Sequence, residues 1–275
     1  MTDEFQPLNT ADHTTQYRKV LLYAMHGWGK THQAKNYKRK YGNGLILSGE
    51  SGLSSIRSAG VDYFPFSSWD GAVDPKKNIF SFRALLRWIK TDAFLAKQYQ
   101  WIMVDSLTEL SDLAYAAAET EASLPANLTK EGKVNNFMIW DIYASKMIGA
   151  CKMIRDLPMH VIVTALAKRG EDDNGNEDCW PMVKGKQVQT QLPGIFDCVF
   201  CGLKRTEQDL SNPNSRPETV RYIITDEYKG WHGKARDEKR RLKAVEREHD
   251  LTKLFDKMEM PDSDYEAIIS NRTTN

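Results

Sequence analysis

The sequence has no apolar run approaching the roughly 18 residues that a membrane-spanning helix needs, and it opens on a polar stretch rather than an apolar leader. Cysteine is scarce. Four residues at uneven spacing exclude a disulfide framework and suit a reducing compartment. From these absences we expect a soluble, cytoplasmic protein with no membrane partner. Cys198 and Cys201 do form a C-x-x-C, but "IFDCVFCGL" reads as a buried strand and no second ligand pair follows at zinc spacing, so both are expected to be structural. Neither charge is in excess: 38 basic residues against 37 acidic ones leave +1, so a nucleic-acid partner would need a local basic surface. What is present is core-forming material. Apolar residues make up 41% of the 275, enough for one large α/β domain with appendages or two small domains.

Residues 1 to 17 are polar and aperiodic and are expected to form a flexible arm. From Arg18 onward the short apolar runs "VLLYA", "GLILSG", "WIMVDS", "HVIVTAL" and "IFDCVFCGL" alternate with longer amphipathic stretches. That alternation predicts an α/β core over residues 18 to 235, with a mostly parallel central sheet flanked by helices. "NNFMIWDIYASKMIGACKMIRDLP" repeats apolar residues near helical spacing and stops at Leu157-Pro158, so its aromatics are expected in the core. "AKRGEDDNGNEDCWPMVKGKQVQTQLPG" reads as a long polar loop, and loops of that length in a compact domain are functional or disordered. Residues 236 to 275 are expected to form a C-terminal helix and tail. There "ARDEKRRLKAVEREHDLTKLFDKM" is a charge-laced amphipathic helix with Leu242, Val245, Leu254, Phe255 and Met258 as its apolar stripe.

The chemistry concentrates in "YAMHGWGKT", which follows the phosphate-loop pattern G-x-x-x-x-G-K-[ST] except that Ala24 replaces the first glycine. "KVLLYA" before it reads as a strand and "KTHQAKNYKRKYG" after it can start a helix, which is the order such a loop requires. Backbone N–H groups around Gly27 and Gly29 can form a nest for phosphate oxygens, Lys30 can neutralise the β- and γ-phosphates, and the Thr31 hydroxyl can hold Mg²⁺. We assign nucleotide contact to His26, Gly27, Trp28, Gly29, Lys30, Thr31 and His32, with ATP and Mg²⁺ as the ligands. Ala24 fits wherever its backbone does not need a positive φ. "QWIMVDSLTEL" places Asp105 at the carboxyl end of a buried strand, as a second metal-side residue. "GLILSGESG" places Glu50 at the end of another, where a carboxylate can orient or deprotonate the water that attacks the γ-phosphate.

With "GWGKT", "LILSGESGLSSIRSAGVD", "WIMVDSLTEL" and "HVIVTAL" in this order, the chain resembles the core of the RecA-like recombination ATPases. More narrowly it is similar to the small phage-encoded RecA-core ATPases associated with single-strand annealing. The resemblance runs from residue 18 to about 240. It implies ATP hydrolysis with Lys30 and Glu50 as catalytic residues and Thr31 and Asp105 on the metal. Thr164 would sense the γ-phosphate and relay its presence to the following loop, at a position where RecA itself has a glutamine. Residues 111 to 135 and 167 to 192 would match the two DNA-binding loops. Lys184 and Lys186 resemble lysines that reach a neighbouring subunit's γ-phosphate, and Lys234 and Arg236 in "WHGKARDEKRR" would contact nucleotide within or between subunits. The implied partners are single-stranded DNA, further copies of the chain in a ring or helical filament, and a single-strand-binding protein.

Taken by its own residues, the polar loop is basic at its ends and acidic in its middle, and acidic groups repel a phosphate backbone. DNA contact is therefore expected at Lys168 and Arg169, with Trp180 as a base-stacking platform. Three other readings stay open: a helicase-like or packaging-like motor, a nucleotide-gated interaction module, and a small-molecule kinase with Arg205 or the long loop as its lid.

Overall fold

The computed structural model describes residues 17–50, 52–208 and 216–273, so the expected N-terminal arm lies, but for Tyr17, outside the described residues, as does the end of the tail at 274–275. In chain order the elements are β1 (Lys19–Ala24), α1 (Gln33–Tyr41), β2 (Gly44–Ser48), β3 (Asp62–Pro65), α2 (Phe82–Trp88), α3 (Asp92–Leu95), β4 (Trp101–Asp105), α4 (Leu107–Ala122) and α5 (Asn136–Arg155). They continue as β5 (His160–Glu171), β6 (Glu177–Pro181), α6 (Lys186–Ile195), β7 (Cys198–Glu207), β8 (Glu218–Ile224), β9 (Glu227–Tyr228), β10 (Trp231–His232), β11 (Lys234–Ala235), β12 (Val245–Glu246), α7 (Leu251–Glu259) and α8 (Asp262–Thr273). The central sheet runs β12-β8-β7-β1-β5-β4-β2-β3. From β7 to β3 all neighbours are parallel, while β8 and β12 close one side antiparallel.

A parallel strand is covered on both faces, which is why β2 and β4 are buried at every residue. β1 shows how the two faces divide. Leu21 and Tyr23 join a core with α4 and α5, while Val20, Leu22 and Ala24 join one with α1 and α7. Helix starts are set locally. The Ser106 side chain accepts from the Glu109 N–H to cap α4, and Asn135 accepts from the Phe137 N–H at 3.0 Å to cap α5.

Four expectations change. Of the α5 aromatics expected in the core only Tyr143 is buried, whereas Phe137 and Trp140, in its first two turns, are exposed. Residues 111–122, expected as loop, belong to α4, because "LAYAAAETEA" is rich in strong helix formers behind a capping serine. The long polar loop is ordered as a hairpin of β5 with β6, followed by α6. Its turn is built by Asp172, whose carboxylate accepts from the N–H groups of Asn174 at 2.9 Å and Asn176 at 2.8 Å, with Gly175 at φ +78°. The long C-terminal helix is confined to α7. Residues 237–244 turn instead, because the Asp237 carboxylate takes the N–H groups of Arg241 and Leu242, and Val245 and Glu246 then pair with β8. Asp250 restarts the helix by accepting from the Thr252 N–H at 3.0 Å. Of the expected apolar stripe, Leu254, Phe255 and Met258 lie on α7 and are buried with Leu251 against the α1 face, whereas Leu242 and Val245 fall outside the helix. Each such side chain contributes about 1.5–3 kcal/mol, so α7 is a structural part of the core layer.

Candidate nucleotide-binding site

β1 ends at Ala24 in extended conformation, so no glycine is needed where the phosphate-loop pattern asks for its first one. The left-handed angles fall at Gly27 (φ +70°) and Gly29 (φ +106°), where any other residue would be strained. Trp28 between them turns inward. Its Nε1–H donates to the carbonyls of Leu203 and Tyr222, each at 3.2 Å, and its ring covers Gly202, where an added Cβ would lie 2.5 Å away. The indole thus anchors the loop to β7 and β8 rather than reaching out to a ligand. The chain then tightens into the first turn of α1, with the Gln33 N–H donating to the Lys30 carbonyl at 3.1 Å.

Lys30 is only 8% exposed, and its ammonium donates to the Ala24 carbonyl at 3.2 Å. Burial pulls its pKa below the ordinary lysine value, while the Glu50 and Asp105 carboxylates nearby pull it back up. A buried cation held by a neutral carbonyl is poised to gain from an anion. Asp105, 1% exposed at the end of β4, accepts a hydrogen bond from the Thr31 hydroxyl at 2.6 Å through Oδ2 and one from the Thr164 hydroxyl through Oδ1. β4 and β5 are neighbours in register, which is what brings Thr164 beside Asp105. Glu50 follows β2 at the same sheet edge, its place fixed by the Gly49 N–H donating to the Asp105 carbonyl at 2.8 Å and by Ser48 Oγ donating to its own carbonyl at 2.8 Å. Lys30, Thr31 and Glu50 line one cavity of about 580 Å³, together with His26, Gly27 and Gly29.

The donor set suits a hard divalent cation. Thr31 gives its proton to Asp105, which leaves its oxygen lone pairs for a metal, and the carboxylate behind it can receive metal-bound water. Mg²⁺ there would neutralise phosphate charge. At residue 16 the chain enters a match with a family model described as an AAA domain, and the match extends to residue 236. The chain belongs to the AAA-domain family. The family match and the fold together make it a phosphate-loop ATPase module, and nucleotide binding goes with that membership. No curated protein matches the chain.

The fold also brings in residues that local sequence patterns did not show. Arg221 of β8 lines the cavity and its Nε–H donates to the Trp28 carbonyl at 2.8 Å. Lys204 of β7 lies beside the loop, its Nζ 3.5 Å from where a Cβ on Gly27 would be. His249, from the segment between β12 and α7, borders the same cavity. Only Arg221 left a trace in the sequence, as a charge interrupting the apolar alternation of "TVRYII".

Other candidates stand elsewhere. Lys234 and Arg236 lie at the opposite edge of the sheet: Lys234 pairs with Val199 at the start of β7, whereas the phosphate loop leaves β1 level with Gly202. The Lys234 ammonium donates to the carbonyls of Pro193 at 2.9 Å and Phe196 at 3.0 Å, and Arg236 pairs with Asp197 at 2.9 Å. Neither reaches the nucleotide site of its own chain. Lys184 pairs with Asp112 at 3.0 Å and lies over the Tyr115 ring, and Lys186 begins α6. Lys168 and Arg169 stand exposed on the β5–β6 hairpin, Arg169 at 3.6 Å from Glu177. Trp180, opposite Lys168, is stacked on His232 at 3.9 Å between ring centroids, so that face is covered. Cys198 and Cys201 are buried in β7 on opposite faces of the sheet and cannot ligate one ion together. Among the described residues, no helix is long and apolar enough to cross a membrane.

Proposed function

We propose that this AAA-domain protein hydrolyses ATP under the control of single-stranded DNA, as an oligomer acting in recombination or strand annealing. The observation that carries the ATPase half is the chain Thr31–Asp105–Thr164 set beneath buried Lys30, with Glu50 facing the same cavity. Glu50 takes a proton from water as the water oxygen bonds to the γ-phosphorus. The bond to the β-phosphate oxygen breaks, and ADP and inorganic phosphate leave. Lys30 holds the phosphate charge through the step. Loss of the γ-phosphate is felt through Asp105 by Thr164. Two residues on, the Leu166 N–H donates to Thr108 Oγ1 at 3.0 Å, where β5 leaves the sheet towards the hairpin carrying Lys168 and Arg169. That path is the support for coupling hydrolysis to DNA, alongside the resemblance to the annealing ATPases. DNA contact then falls to Lys168 and Arg169, and Trp180 joins only if His232 gives way. In the oligomer, Lys186 would act across the interface, and so would Lys184, Lys234 and Arg236 by exchanging their present intrachain partners.

A nucleotide-gated protein-interaction module is the second reading. It is favoured by Phe137, 83% exposed, and Trp140, 41% exposed, side by side at the start of α5. Steady-state ATP hydrolysis with Mg²⁺, alone and with single-stranded or duplex DNA at two salt concentrations, separates the two. Stimulation by single strands that weakens with salt is the expected result. Hydrolysis indifferent to DNA supports the interaction module.

A further inference from the structure

The cavity over the phosphate loop has two chemically different ends. One holds Gly52, where an added Cβ would lie 3.6 Å from Thr31 Oγ1, with Ser55 donating to the Gly52 carbonyl and Glu50 two residues before it. The other holds Arg221, which donates to the Trp28 carbonyl, and His249, whose carbonyl is held by Gln33 next to His32. The hydrolytic and metal-side groups fix the terminal phosphate at the first end, so a triphosphate cradled by the loop directs its nucleoside towards the second.

His249 lies beyond residues 16–236 of the AAA-domain match, in the strap that joins β12 to α7. The strap is fastened to α1 at His249 and at the two residues after it. Gln33 Nε2 donates to the His249 carbonyl at 2.6 Å, the Leu251 N–H donates to Gln33 Oε1 at 3.1 Å, and Arg39 pairs with Asp250 at 2.5 Å. The Glu248 carboxylate also accepts from the His249 N–H at 2.8 Å. The backbone of His249 is thus held while its imidazole, 58% exposed, stands at the cavity mouth. His32 and Arg221 line the same cavity. Flat rings beside an arginine are the side chains on which nucleobases stack.

We propose that the strap is a nucleotide-binding element: His249, with His32 and Arg221, forms the subsite for the base and ribose of a nucleoside triphosphate. The inference rests on the phosphate-loop reading above. Calorimetric titration of the full chain with MgATP and with magnesium tripolyphosphate, which has no nucleoside, separates the two ends. His249→Ala is expected to weaken ATP about tenfold and to change tripolyphosphate by less than about twofold. His249→Phe keeps a ring and restores most of the ATP affinity, whereas Lys30→Ala weakens both ligands. If His249→Ala leaves ATP untouched, or weakens both ligands alike, or if phenylalanine restores nothing, the subsite is overturned. A wild-type chain that binds neither ligand overturns the phosphate-loop reading and the subsite with it.

Discussion

The two edges of the central sheet carry the same kinds of side chain in opposite states. At the edge where β1 begins, three buried or half-buried cations have partners inside the chain: Arg18 with Glu259 at 2.8 Å, although its Nε has none, Lys19 with the carbonyls of Leu157 and Met159, and Lys234 with two carbonyls of the α6–β7 junction. At the edge where β1 ends, Lys30 is as buried as Arg18 but holds a single neutral carbonyl, with two carboxylates nearby. Satisfied charges hold a fold together. A buried cation left short of partners costs stability that only a bound anion recovers, so the contrast marks one edge as scaffold and the other as site.

The sharpest test of that contrast is Glu50→Gln, which should lower ATP turnover by about 10²–10⁴ while equilibrium ATP binding is retained. Turnover near the wild-type rate would take the base away from Glu50. Next in size, Lys30→Ala should weaken ATP binding about tenfold to a hundredfold without lowering the thermal midpoint of the ligand-free protein, because the lost charge was unfavourably buried. A midpoint that collapses would place Lys30 with the scaffold cations. Lys234→Met is the converse case. It should cost about 1–3 kcal/mol in denaturant unfolding, from two orphaned carbonyls, and leave ATP affinity unchanged in the monomer. Lost ATP affinity at unchanged stability would erase the distinction between the edges.

The smallest effect belongs to the scaffold edge and to pH. His160 accepts the Arg18 N–H at Nδ1 and stacks on Tyr41, and burial, together with Lys19, Arg18 and Lys40, holds its pKa down at about 4 against an ordinary 6.5. Between these values the unfolded chain binds the extra proton, so stability falls as pH drops through that window. After allowance for partial exposure, the loss at pH 5 should be about 1 kcal/mol. Thermal midpoints measured from pH 7.5 to 5 should show the slope, and His160→Asn should flatten it; an unchanged slope would move its origin to other groups.

Much of the site edge is legible before folding because its determinants are local. A buried apolar run followed by Asp or Glu places that carboxylate at a strand's carboxyl end, and this suffices for Glu50 and Asp105. Two glycines beside a Lys-Thr pair likewise fix a loop whose backbone angles only glycine adopts easily. The place of Arg221 and His249 at the site is not legible, although Arg221 shows as a charge within an apolar run, since nothing near residue 28 in sequence announces a strand and a strap that return some 190 and 220 residues later. The charged stretch 237–250 misleads for a related reason. Its composition suits a helix, but one aspartate, Asp237, and an open edge of β8 offer better hydrogen bonds than the helix does. The hairpin of β5 and β6 escapes the sequence because its turn chemistry lies in an acidic stretch that resembles a solvated loop.

Trp28 gives the loop a property that its glycines would deny it. Two glycines around a free tip would leave a floppy segment that must freeze when a ligand arrives, and part of the binding free energy would be consumed by that freezing. With the indole locked between two carbonyls of neighbouring strands, the tip of the loop is held in one shape before a ligand arrives. Less of the free energy of phosphate binding is then lost to ordering the loop.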